Sequence, residues 1–148
     1  MTLEEKQASI LDTILDYRSK LRGLRERLLA DAVMIGEIPS PTFHEQKLVE
    51  FMRNRFTEEG LDQISVDEVH NATAIINGTD GKKNILVAAH TDRLWNASID
   101  HSITVTAESM IGPGIADNGL GAAVLTTLPS LLNSGEYFFI HLLQPLAD

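Results

Sequence analysis

The chain has no cysteine, one tryptophan, and aromatic residues at only 5% of its 148 positions. Without cysteine, disulfide scaffolds and thiolate zinc sites are excluded. No apolar run approaches the roughly 20 residues that a membrane span needs. The opening stretch, MTLEEKQASILDTILDYRSK, lacks the basic start and unbroken apolar core of a secretory leader. Bases are scarce as well: residues 61–148 hold three Lys/Arg against ten Asp/Glu, and the whole chain holds 12 against 21. Such a balance repels a phosphate backbone, so no nucleic-acid partner is expected. What remains is a chain that is 43% apolar and 22% charged. That composition is too rich in Ile, Leu and Val for disorder, and the length suits one domain with a true core. The expectation is a soluble, cytoplasmic protein with no membrane contact.

Hydrophobic spacing divides the chain. Leu3, Ile10, Tyr17 and Leu24 recur every seven residues, as do Ile14, Leu21, Leu28 and Ile35, which predicts a helix over residues 2–36. Its stripe fits packing on its own domain, or else a partner helix. Ile38-Pro39-Ser40-Pro41 stops it. A second helix is predicted from Phe43 to Glu59, capped by Thr42 with Glu45 three residues on, its buried face Val49, Met52 and Phe56, and its end Gly60. The period then shortens. Residues 64–69 alternate, Ala72 to Ile76 forms a second run, and residues 78–81 are turn chemistry. Asn84 to Ala89 is almost wholly apolar and reads as a central strand buried on both faces. Residues 102–106 read as an edge strand, Asn118 to Leu132 as a buried helix kinked or cut short by Pro129, and Tyr137 to Leu143 as a last strand. Alternating helices and strands predict an α/β sandwich with a mixed sheet.

Two segments could carry chemistry. In Ala88-Ala89-His90-Thr91-Asp92 an apolar strand ends in a histidine, with a carboxylate two residues later. Open α/β sheets build sites at the carboxyl ends of their strands. A metal on one ring nitrogen and Asp92 on the other would satisfy His90. On that segment alone, an ordinary strand-end histidine reads better. The second segment, Gly112-Pro113-Gly114-Ile115-Ala116-Asp117-Asn118-Gly119, is dense in glycine and leads into the buried helix. A phosphate cradle there fits poorly, because Asp117 stands where the dinucleotide fingerprint wants glycine and no Gly-Lys-Ser/Thr follows. Asp117 reads as a cation ligand or as a plain turn residue with a helix-capping role.

Taken together with Ile38-Pro39-Ser40-Pro41 and Glu68-Val69-His70-Asn71, the two segments resemble the dizinc peptidase family. That family includes peptidase T, carboxypeptidase G-like enzymes, aminoacylase-type amidohydrolases and succinyl-diaminopimelate desuccinylase. The tripeptide-aminopeptidase branch looks nearest, and the resemblance runs from about Glu37 to Leu132. It implies a three-layer α/β/α sandwich and hydrolysis of peptide bonds by a water activated between two zinc ions. His90 would bind one zinc, Asp117 would bridge two, and Asp92 would be the catalytic-site carboxylate that orients His90. The bond between Asp117 and Asn118 would be cis. Peptides would be the substrates.

The chain departs from the family pattern in several places. The glutamate pair that serves as general base falls about thirty residues after the bridging aspartate, just past Asp148. The later metal ligands and the smaller lid domain have no counterpart, and Arg93 and Pro129 are unusual. Glu136 and His141 are the only late substitutes, and both read better as strand-face residues. The expectation is therefore a helical segment over 1–36 and the N-terminal part of a catalytic domain over 37–148, truncated or frameshifted, binding zinc weakly and hydrolysing little. A non-catalytic remnant acting through contacts of its N-terminal helix is the alternative. An apolar sheet edge left open would favour dimerisation or aggregation. His44, His70 and His101 read as structural, and Trp95 as a rim residue.

Overall fold

In a computed structural model the chain is described over residues 2–78, 84–132 and 137–143, the last stretch by its backbone. The turn read over 78–81 falls outside the described residues beyond Gly78, as does Glu136.

Helix α1 spans Leu3–Glu37. Its start is a capping box: the Thr2 hydroxyl accepts from the Glu5 N–H at 3.2 Å, and the Thr2 N–H donates to the Glu5 carboxylate at 2.6 Å. It ends at Ile38, whose extended backbone is the one favoured before Pro39. Only its second half reaches the core, where Asp31, Ala32, Ile35 and Gly36 are buried.

Helix α2 spans Gln46–Glu58, starting three residues later than the predicted Phe43. The reason is local. Phe43 sits in the left-handed region at φ 68°, and the His44 N–H closes a turn onto the Pro41 carbonyl at 2.8 Å. Buried Glu45 folds back to accept the Phe43 N–H at 2.7 Å, so the expected Thr42 cap does not form. The C-terminus follows the expectation. Gly60 at φ 68° bonds back to Thr57, and Leu61 to Phe56, each at 3.0 Å, which is the Schellman pattern.

The sheet is mixed. Strand β1 (Asp62–Val66) pairs antiparallel with β2 (Ala72–Ile76) across a turn in which the Asp67 carboxylate accepts the N–H groups of Val69 and Asn71. Strand β6 (Tyr137–Leu143) lies antiparallel to β2 and parallel to β3 (Asn84–His90), giving the order β1-β2-β6-β3. The reading of β3 as a central strand buried on both faces is corrected. It is an edge strand among the described residues, with Ala89 in the core while Leu86 is 64% exposed. An apolar run records that a strand is hydrophobic, not how many layers cover it. The strand predicted over 102–106 is reduced to a two-residue rung, β4 (Thr104–Val105), paired with β5 (Met110–Ile111).

After one wide turn at Ile115–Gly119, helix α3 runs over Leu120–Leu131. Pro129 lies in its last turn, so the missing N–H interrupts only the fraying end. Buried Ala122, Ala123 and Leu125 of α3 join Leu48, Val49, Met52 and Phe56 of α2, Ile35 of α1, and Ala72, Ala74 and Ala89 of the sheet in one core. A polar seam ties the helices together. Buried Asp31 accepts from the Thr126 hydroxyl at 2.7 Å and pairs with Arg55 at 2.9 Å.

Candidate metal centre

The carboxyl end of β3 and the glycine loop before α3 meet at one point. The His90 Nδ1 lies 3.1 Å from a carboxylate oxygen of Asp92, and its Nε2 lies 3.1 Å from Oδ1 of Asp117. One imidazole therefore touches both acids, one on each ring nitrogen. Asp92 is steadied in turn by the Thr42 hydroxyl, which donates to it at 3.3 Å. The exposure rises outward: the Asp92 side chain is 24% exposed, His90 41% and Asp117 77%. The inner acid sits on the inner nitrogen and the outer acid faces solvent.

Arg93, unusual for the family pattern and otherwise without an expected role, builds the loop that delivers Asp117. It is 3% exposed. Its guanidinium donates to the carbonyls of Ile35 and Gly36 at 2.8 Å and of Ile38 at 3.1 Å, which closes the C-terminal end of α1. The same side chain packs on Gly114, which stands at φ 70°, where a Cβ would run into it. Burial alone holds this guanidinium's pKa below the usual range. A signal was present in the sequence, since Arg93 is the single Lys or Arg between residues 84 and 148. From Gly114 the chain runs through the wide turn, where the Gly119 N–H bonds to the Gly114 carbonyl at 2.9 Å and the Asp117–Asn118 peptide is cis, as the resemblance implied.

A divalent ion held by both His90 and Asp117 at zinc bond lengths would set its donor atoms roughly 3 to 3.4 Å apart. The observed 3.1 Å fits that span. The inner nitrogen, held by Asp92, leaves Nε2 as the outward lone pair, the arrangement by which carboxylates orient metal-bound histidines. The set is short, however: among the described residues, no group of three or more His, Asp or Glu stands ready to hold an ion. Three other histidines, all described, do not join it. His101 is buried with its Nε2 3.1 Å from the Asn96 carbonyl, His70 occupies a turn at φ 64°, and His44 is exposed beside Glu45. The side chain of His141 lies outside the described residues. Beside Asp117 a hollow of about 240 Å³ is lined by Leu94, Trp95, Gly114 and Ile115, which puts Trp95 at its rim.

This architecture recurs in solved structures. Aminopeptidase PepT from Bacillus cereus superposes with a TM-score of 0.68 at 17% identity, over 79% of this chain and 35% of that one. The chain carries the dizinc peptidase fold. The aminoacylhistidine dipeptidase from Vibrio alginolyticus matches with a TM-score of 0.62 at 27% identity, over 78% of this chain and 26% of its own length. A dinuclear metal-binding peptidase of the M20 family from Bacillus subtilis matches with a TM-score of 0.60 at 17% identity, over 82% and 35%. The chain thus spans about a third of the length of such structures, a partial domain of the fold. No protein-family model matches the chain, and no curated protein does. No described helix is long and apolar enough to cross a membrane.

Proposed function

We propose that the chain is the cation-binding part of a metal-dependent peptidase or amidohydrolase. His90 and Asp117 hold a divalent cation, zinc being the best match to a nitrogen and carboxylate pair. Asp92 is a positioning residue that fixes the tautomer of His90. The observation that supports this reading is the single imidazole bracketed by two carboxylates at 3.1 Å, at a strand end and a glycine loop. When bound, the metal pair of such a site polarises a peptide carbonyl and supplies hydroxide near neutral pH. The chain's own contribution is to present two donors in register and keep one of them correctly protonated.

Catalysis asks for more than this. A catalytic zinc takes about three protein ligands plus water, and the activated water needs a general base. Among the described residues the site brings two donors, so the chain by itself binds the ion weakly and does not turn over peptides. Peptides or amides are the substrate class that this reading assigns.

Calorimetric titration with zinc and with cobalt(II) tests this reading. Wild type is expected to take up the ion, and both His90→Ala and Asp117→Asn to weaken it about tenfold or more. Asp92→Asn is expected to weaken it less than loss of a direct donor, while changing the His90 ring-nitrogen shifts. Equal affinity in wild type and His90→Ala would refute the assignment. Zinc-dependent tripeptide hydrolysis by the isolated chain that survives His90→Ala would also refute it.

A further inference from the structure

The first half of α1 lies open on the surface. Residues 2–19 are all exposed, and Leu3, Ile10, Ile14, Tyr17 and Leu21 are between 43% and 72% exposed. A helix of this length with no tertiary packing is marginal in water, because protein helices owe most of their stability to a buried apolar face. Yet the face is there. Ile10, Ile14, Tyr17, Leu21, Leu24 and Leu28 follow one another at alternating spacings of four and three, the a/d seam of a coiled coil. The inner end of that seam is already in use, since Leu24 and Leu28, with half-exposed Leu21 at the outer edge, line one hollow with Val124 and Leu128 of α3. Outward from Leu21 the stripe continues to Leu3, over about 27 Å of helix at the usual rise, and is exposed throughout.

We propose that residues 3–21 of α1 pair antiparallel with the same segment of a second copy of this chain. Charge decides both the occupant and the direction. The outer end carries Glu4, Glu5, Asp12 and Asp16 against Lys6, while Arg18, Lys20 and Arg22 follow without an acid. Two parallel copies would set the three bases beside one another. An antiparallel pair lays the acid-rich end of each helix along the base-rich end of the other, with Glu4 facing Arg18 of the second copy. Centred on Asp12, this arrangement matches every seam position. Leu3 meets Leu21, Ile10 meets Ile14, and only the Gln7–Tyr17 layer is part polar. The two-fold axis makes the contact self-complementary and closed. The seam then runs from the α1–α3 interface into the dimer without a break.

Light scattering and sedimentation on the full chain test the proposal. Wild type is expected at twice the 16.3 kDa chain mass, and Ile14→Glu and Ile10→Lys at the single mass. Neither substitution reaches the core, so the melting profile of the folded domain should be retained. Because the chain has no cysteine, direction is read by mixing Ile10→Cys with tagged Ile14→Cys under mild oxidation. Antiparallel pairing predicts that disulfides join tagged to untagged chains. A monomeric wild type would overturn the proposal. So would a dimer that survives Ile14→Glu, which would place the contact on another surface such as the exposed face of β3. Cross-links only within each variant would overturn the antiparallel direction.

Discussion

Replacing Arg93 with alanine is the most informative single perturbation of the fold. The side chain closes three carbonyls, those of Ile35, Gly36 and Ile38, from a position only 3% exposed. Hydrogen bonds from a charged donor each contribute about 1.5 to 3 kcal/mol net, and a buried acceptor left without a partner costs about 1 to 3 kcal/mol. Three such bonds set an upper range near 5 to 9 kcal/mol. The guanidinium itself is relieved of burial, and water can reach part of the space it leaves. A loss of about 3 to 4 kcal/mol is therefore expected, a large share of the 5 to 15 kcal/mol typical of a domain. With a urea dependence of about 2 kcal/mol per molar, the unfolding midpoint should fall by roughly 1.5 to 2 M. Arg93→Lys keeps the charge but offers a point donor instead of a fork, and should recover only part of the loss. Because Arg93 also packs on Gly114, the Asp117 loop should loosen in parallel, seen as faster amide exchange at Gly119. A midpoint within about 0.5 M of wild type would show that the α1 terminus is held by something other than this side chain.

Further outcomes follow from the same geometry. Asp31→Ala takes a buried partner from Arg55, while the Thr126 hydroxyl keeps the Ala123 carbonyl at 2.8 Å; it should cost about 3 kcal/mol in urea unfolding, somewhat less than a fully buried pair because Arg55 keeps Glu58 at 2.7 Å. Phe56→Ala, at a fully buried position, should cost about 3 to 5 kcal/mol by the same assay. Gly114→Ala meets both a left-handed φ and the Arg93 side chain, so about 2 kcal/mol or more should be lost, together with cation affinity in calorimetry. The Asp100 carboxyl is held below its ordinary pKa by the hydroxyl and N–H of Ser102, at 2.6 and 2.9 Å. A carboxylate pKa depressed by folding stabilises above its unfolded value, and that contribution disappears as pH falls through the folded one. Carbon-detected titration should therefore show Asp100 charged to lower pH than in Ser102→Ala.

The sequence spoke clearly wherever a signal was local. The heptad spacing marked α1, the glycine at position 60 marked the end of α2, and the His90-x-Asp92 pattern marked the end of β3. What it hid was set by distant contacts. Phe43 gave no sign of a positive φ, because that conformation is imposed by Glu45 turning back beneath it. The one-sided burial of β3 could not be read from an apolar run, since the pattern is the same whether one layer or two lies over it. Arg93 looked like a departure from a motif. Its role became visible only when the end of α1 arrived beside it from more than fifty residues away. The site itself was legible as two fragments, and their meeting at 3.1 Å is a fact of the tertiary fold.

The position of β6 has a consequence for how the protein comes into being on the ribosome. Strands β2 and β3 never bond to each other. Each waits for β6, which pairs Thr73 with His141 on one side and Asn84 with Tyr137 on the other. Until β6 emerges, the nascent polypeptide can form its helices and the β1–β2 hairpin, but among the described residues the strand ending in His90 has no hydrogen-bonded strand beside it. Rungs this distant in the chain are slow to assemble and leave apolar edges uncovered meanwhile. The histidine at the end of β3 is thus fixed in place by a strand that is synthesised only after the whole of α3, and a cation arriving earlier would find its donors still apart.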